Sequence, residues 1–157
     1  MEGLAVMSLE QKRSVLRAQH DHLRELIAAL RDAAASVAAS SDESLLECGP
    51  ALAAAISVFD RDLRVHLGVE EELLGPILER VDAWGPVRLE LMRAEHAHQR
   101  AVLEALRTDR RVGAREMARR ASALTTDVLA DMDAEESEVL AESVLRDDAL
   151  ALDQSDC

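Results

Sequence analysis

The chain has 157 residues, 48% of them hydrophobic and 31% charged, the size and make-up of one folded domain with a single substantial core. Its formal net charge of −13 sets it against nucleic-acid phosphates and anionic membranes, both of which need a basic face. Cys48 and Cys157 are too few and too far apart for a disulfide framework or a thiolate metal site, and no apolar run reaches the roughly 18 residues of a membrane span.

Aromatic residues make up 1% of the chain, Phe59 and Trp84 with no tyrosine, while Leu, Ala, Val and Glu dominate. Strands draw on β-branched and aromatic residues, so the expectation is an all-α chain. The opening MEGLAVM lacks the basic flank and apolar length of an export signal, and the two cysteines read as free thiols, so a cytoplasmic location is expected.

Residues 1–8 form a lead-in, and Ser8 with Gln11 has the spacing of a capping box that opens a helix from Leu9 to Ala39. Its apolar stripe runs Leu16, His20, Leu23, Ile27, Leu30, Ala34, Val37, in alternating steps of four and three. His20 therefore lies on the core-facing seam. His22 is rotated from it by about 200° and belongs at an edge or in water.

After the polar connection Ser40 to Ser44, Gly49-Pro50 starts or kinks a second helix with the stripe Leu52, Ile56, Phe59, Leu63, His66, Glu70, Leu73. His66 and Glu70 are one turn apart on that stripe and can reach one point together. Gly75-Pro76 should disturb the helix beyond them. The turn Asp82 to Pro86 then opens a third helix, to about Arg107, with the seam Leu89, Met92, His96, Gln99, Leu103, Leu106. Glu95-His96-Ala97-His98-Gln99-Arg100 echoes Gln19-His20-Asp21-His22-Leu23-Arg24, a weak internal repeat.

Arg107, Arg110, Arg111, Arg115, Arg119 and Arg120 surround the next connection and read as a solvated loop and helix face. The fourth helix is expected to run to around Asp147, within a bundle domain of residues 9–147, with an acidic tail over 148–157. Its seam reads Met117, Ala121, Leu124, Val128, Asp131, Glu135, Val139. Ionised carboxylates buried without partners cost several kcal/mol, so two acids on an apolar stripe imply a compensating cation. Glu136 and Glu138, off the centre line, read as solvated.

Four amphipathic helices with short connections make an up-down-up-down four-helix bundle, a fold that builds metal sites from inward-facing side chains. Any one of these histidines alone is more often an ordinary core or surface residue than a ligand. The converging set is His20, His66, Glu70, His96, Asp131 and Glu135, from all four helices. Three imidazoles and three carboxylates suit two metal ions of the iron, manganese or zinc type, with Glu70 and Glu135 as the natural bridges.

These residues resemble the hemerythrin-like domains, also called HHE cation-binding domains. Their pattern is a His in the first helix, His-x-x-x-Glu in the second, a His in the third and His-x-x-x-Glu in the fourth. The resemblance covers nearly the whole chain and makes His20, His66, Glu70, His96 and Glu135 ligands in their usual places, with Glu71 and Glu136 completing the Glu-Glu doublets such domains often carry. It implies a hemerythrin-like bundle with a non-haem di-iron centre that binds dioxygen, nitric oxide or peroxide, senses iron or oxygen, or turns over peroxide.

Two positions depart from the pattern. Asp131 stands where the fourth-helix imidazole should be, and Arg100 where oxygen-carrying hemerythrins place a second third-helix His. Both argue against reversible oxygen carriage. They leave a small-molecule binding or sensing module, a peroxide-decomposing or oxygen-activating enzyme, or a degenerate bundle with a structural or partner-binding role or a single metal.

Overall fold

A computed structural model describes residues 7–109 and 111–145 as four α-helices, with no strand among the described residues. They are α1 (Leu9–Ala39), α2 (Leu45–Val81), α3 (Gly85–Thr108) and α4 (Ala114–Glu138). α1 packs on α2 and α4, and α3 on α2 and more lightly on α4, so chain order runs round the bundle. The short connections 40–44, 82–84 and 109–113 make successive helices antiparallel.

The capping box is formed: the Ser8 hydroxyl accepts from the Gln11 amide at 3.2 Å, and the Gln11 side chain accepts from the Ser8 amide at 2.8 Å. Every expected stripe residue of α1 and α2 is buried. Neither proline ends a helix. α2 is already helical from Leu45, so Pro50 falls in its second turn, and α2 continues through Pro76 to Val81. The carbonyls that these prolines cannot serve belong to Leu46 and Glu72, both exposed, where water can take the missing donor's place.

The fourth helix is shorter than expected. It stops at Glu138, and the chain turns, the amides of Val139 and Leu140 both donating to the Glu135 carbonyl at 2.9 and 2.7 Å. Residues 139–145 fold back so that Leu140 and Leu145 are buried against Leu9 and Leu16, and burying each leucine is worth about 1.5–3 kcal/mol. The Arg13 guanidinium, itself buried, pins this return by donating to the carbonyls of Leu140 at 2.8 Å and Leu145 at 2.9 Å. The acidic tail of 148–157, Cys157 and Arg110 lie outside the described residues. Arg115, Arg119 and Arg120 are paired with Asp42, Glu116 and Asp109.

The apolar core comes in two blocks. One contains Leu23, Phe59, Leu63, Leu103, Val128 and Met132. The other contains Leu16, Leu73, Leu78, Leu89, Leu140 and Leu145. On each helix one predicted ligand residue falls between the two blocks: His20 between Leu16 and Leu23, Glu70 between Leu67 and Leu73, His96 between Leu89 and Leu103, Glu135 between Met132 and Leu140, while His66 and Asp131 sit one turn away, at the edge of the first block. A polar layer is thus stoppered at both ends.

The α2–α3 corner is closed by Gly85, where an added Cβ would lie 1.8 Å from the Leu78 carbonyl oxygen. Backbone cannot yield cheaply to such a clash. Gly85→Ala should lower unfolding free energy by about 1–3 kcal/mol, the range of an overpacked core, measured by urea denaturation. An unchanged midpoint would show that the corner opens freely.

Candidate metal centre

His20, His66, Glu70, His96 and Glu135 are buried in the layer, and Asp131 is half-buried at its edge. One potential ligand atom from each of His20, His66, Glu70 and Glu135 lies within 4.8 Å of the others, and the same holds for His96, Asp131 and Glu135. Glu135 belongs to both groups. Glu70 also reaches across, its Oε2 lying 3.3 Å from Nε2 of His66 and 3.3 Å from Nε2 of His96.

The outer ring nitrogens fix the chemistry of the inner ones. Nδ1 of His20 is 2.8 Å from Glu136 Oε1, Nδ1 of His96 is 2.8 Å from Glu71 Oε1, and Nδ1 of His66 is 3.0 Å from Gln19 Oε1. An ionised carboxylate or an amide oxygen can only accept, so each Nδ1 carries the proton and donates it. In a neutral ring that leaves Nε2 as a bare lone pair, and all three Nε2 atoms point inward at carboxylate oxygens. His20 Nε2 lies 3.4 Å from Glu135 Oε2.

Lone pairs facing lone pairs in a dry layer repel unless a proton or a cation stands between them. Among the described residues, His20 Nε2, His96 Nε2 and both Glu70 oxygens are buried without a hydrogen-bond partner. The donor set therefore fits a metal ion, with imidazole tautomers set for ligation by their outer partners, as in metal sites generally. Imidazole with carboxylate suits iron, manganese or zinc rather than calcium or magnesium.

Protons fill part of this role without metal. Burial, with the negative charges of Glu70 and Asp131 alongside, pushes Glu135 up to about 8 despite the pull of His20. Burial also raises Asp131, against the bond it accepts from Gln99. For His20 and His96 burial works downward, but Glu135 and Glu136 around one and Glu70 and Glu71 around the other outweigh it and raise both. Burial would raise Glu70, yet His66 and His96 hold it well below the carboxylate range.

Glu135 has a folded value above its ordinary 4.5, so the stability it contributes is complete below 4.5 and is lost as pH rises through about 8. The two raised histidines act with the same sign. Metal-free protein should therefore melt at progressively lower temperature between pH 6 and 9, and Glu135→Gln should flatten part of that slope. A slope unchanged in the variant would remove Glu135 as its source.

Around the inner six stands a set of groups whose partnerships the sequence did not disclose. Glu136 is not solvated as expected: it is half-buried, its Oε1 accepting from His20 and, at 3.0 Å, from Arg24. It lies about 100° round the helix from Glu135, and only a partner on another helix gives it work. Glu71 accepts likewise from His96 and Arg100, and Gln99 donates to Asp131 Oδ2 at 2.7 Å. The Glu-Glu doublets were the available signal. His22 and His98 are exposed, His22 Nε2 facing Asp62 Oδ2 at 2.9 Å.

A cavity of about 250 Å³ opens between α2, α3 and α4 onto Glu70, Asp131 and Glu135. Leu74, Leu91, Met92 and Val139 wall it, and Glu95 with Arg88 stands beside them. A smaller recess of about 120 Å³ touches His66 from the α1–α2 side.

The fold and the layer together define a helical bundle whose buried His and Glu side chains are able to hold metal. More narrowly, the chain belongs to the Hemerythrin HHE cation binding domain family, whose model matches residues 12–142. No curated protein and no solved structure matches it.

Proposed function

We propose that the chain holds two iron ions in this layer and that it binds, senses or processes a small molecule such as dioxygen, nitric oxide or peroxide there. One observation carries the reading: three inward Nε2 lone pairs, each set by an outer acceptor, converge on the carboxylates of Glu70 and Glu135. Manganese or zinc would accept the same donors. Iron, when bound, supplies redox chemistry and an open coordination position.

The chain's own residues supply the rest. Glu70 and Glu135, each facing both ligand groups, would be the carboxylates shared between the ions if two are held. The leucines above and below exclude water from the layer's ends. The cavity beside Asp131 admits a small molecule from one flank. Asp131, shorter than an imidazole and negatively charged, favours the ferric state and disfavours reversible oxygen carriage. No described helix is long and apolar enough to cross a membrane, and the formal charge of −13 opposes nucleic acid as a partner.

A second reading has an observation of its own. His20, His66, Glu70 and Glu135 are all buried, whereas Asp131 is half-buried and engaged by Gln99. A single ion would take the group of four.

Metal analysis and an absorption spectrum after iron loading test the proposal. Two equivalents per chain are expected, one supports the second reading, and clearly less than about one overturns both. Asp131→His should then move the spectrum while metal is retained; an identical spectrum would show that Asp131 is not a ligand. Steady peroxide turnover by the loaded protein would mark an enzyme rather than a sensor.

A further inference from the structure

The repeat Gln19-His20-Asp21-His22-Leu23-Arg24 and Glu95-His96-Ala97-His98-Gln99-Arg100 has more in common than its inward histidine. His22 and His98 are exposed, and Gln19 and Glu95 do different things. What the two copies share besides the ligand is an arginine one turn later, on the same side of the helix. On α1 the His20–Arg24 pair faces Glu135-Glu136 of α4. On α3 the His96–Arg100 pair faces Glu70-Glu71 of α2.

In both, the first glutamate of the doublet turns into the layer and the second turns out to the histidine's Nδ1. The match extends to the atom. Glu136 Oε1 accepts from His20 Nδ1 at 2.8 Å and from Arg24 at 3.0 Å. Glu71 Oε1 accepts from His96 Nδ1 at 2.8 Å and from Arg100 at 2.7 Å. Each guanidinium therefore competes with an imidazole N–H for one oxygen. His66 differs: its Nδ1 donates to the neutral amide of Gln19.

We propose that Arg24 and Arg100 are positioning residues that set the electron affinity of the bound metal, each through the carboxylate it shares with a histidine. The proposal rests on the metal reading above. A carboxylate accepting from Nδ1–H pushes electron density towards Nε2 and so favours the oxidised metal. An arginine on the same oxygen draws that density back and adds a positive charge close to the layer, and both effects favour the reduced metal. An exposed ion pair of ordinary kind is worth about 0–1 kcal/mol and predicts nothing beyond slight stability. Two copies using the same oxygen of the same doublet position, each behind a buried imidazole, serve the imidazole.

The test uses the full chain loaded with iron, with Arg24→Gln, Arg100→Gln and the double variant. The midpoint potential is measured by spectroelectrochemistry: the electrode supplies one electron per iron, ferric becomes ferrous, and the Nδ1 proton stays where it is. Metal content should match wild type. Each variant should raise the ferric-to-ferrous ratio at fixed poise roughly ten-fold, about 59 mV downward for one electron, with the double variant lower still. Arg24→Lys, which keeps the charge but not the fork, should recover part of the shift.

A second readout needs no metal. In metal-free protein, nitrogen-15 NMR should show the His20 Nδ1–H more strongly hydrogen-bonded in Arg24→Gln, and the His96 Nδ1–H likewise in Arg100→Gln. Wild-type potentials in fully loaded variants would overturn the proposal, as would a change in melting temperature alone. If wild type takes up no iron, the metal reading fails, and an unshifted Nδ1–H would then separately remove the arginines' hold on the imidazoles.

Discussion

Glu70→Gln should give a protein that folds normally and no longer gains stability from iron. Glu70 is fully buried, neither carboxylate oxygen has a hydrogen-bond partner, and Oε2 lies within 3.3 Å of two inward imidazole nitrogens. The substitution keeps the shape and removes the charge. Loss of an outer-shell partner in a metal site already costs about 10–100-fold in affinity, so loss of a shared inner carboxylate should cost at least about 100-fold. A ligand at one hundred times its dissociation constant stabilises by about 2.7 kcal/mol, which is the increment the variant should forfeit under loading conditions that serve wild type.

Metal-free Glu70→Gln should still fold but be less stable than metal-free wild type, because the carboxylate that His66 and His96 hold ionised is gone and the two imidazoles lose the negative charge between them. Chelator competition and melting curves with and without iron read both halves. Wild-type metal affinity in the variant would remove Glu70 from the ligand set. A collapse of the metal-free fold would mean that the charge is structural.

Arg13→Ala should be the most damaging change far from the layer. The guanidinium is 5% exposed and holds the Glu10 carboxylate and the carbonyls of Leu140 and Leu145. Hydrogen bonds to a charged group contribute about 1.5–3 kcal/mol each, and a buried carbonyl left without a donor carries its own penalty. A loss of about 3 kcal/mol in urea is expected, with faster amide exchange over 139–145. Arg13→Lys should rescue little, since one ammonium cannot span two carbonyls as a planar fork does. A loss under about 0.5 kcal/mol would show that the return segment holds itself.

Much of this was legible in the sequence, for a physical reason. A helix buried along one stripe announces itself by period, and His20, His66, Glu70, His96 and Glu135 sat in stripes made mostly of apolar residues. Arg13 shows where the reading failed. It falls in register, between Leu9 and Leu16, but its charge marks it as surface until the carbonyls of 140 and 145 are seen to meet it.

The end of α4 was illegible because no glycine or proline stops it. The burial of Leu140 and Leu145 turns the chain, and that is a property of the neighbours, not of the segment. The doublet partners Glu71 and Glu136 were visible as a pattern, but the groups they serve, His96 with Arg100 and His20 with Arg24, lie on other helices, which helical spacing cannot place.

The two apolar blocks that stopper the layer also separate two events that many small metalloproteins fuse. Where the ions are themselves the core, a chelator unfolds the chain. Here Phe59 with Leu63 on one side and Leu73 with Leu78 on the other have already sealed the helices together. On the metal reading proposed above, the chain should thus persist as a shaped receiver, able to give up metal and take it again without passing through the unfolded state. If that metal is iron, as proposed, occupancy would follow supply in the surroundings rather than the history of the chain's own synthesis.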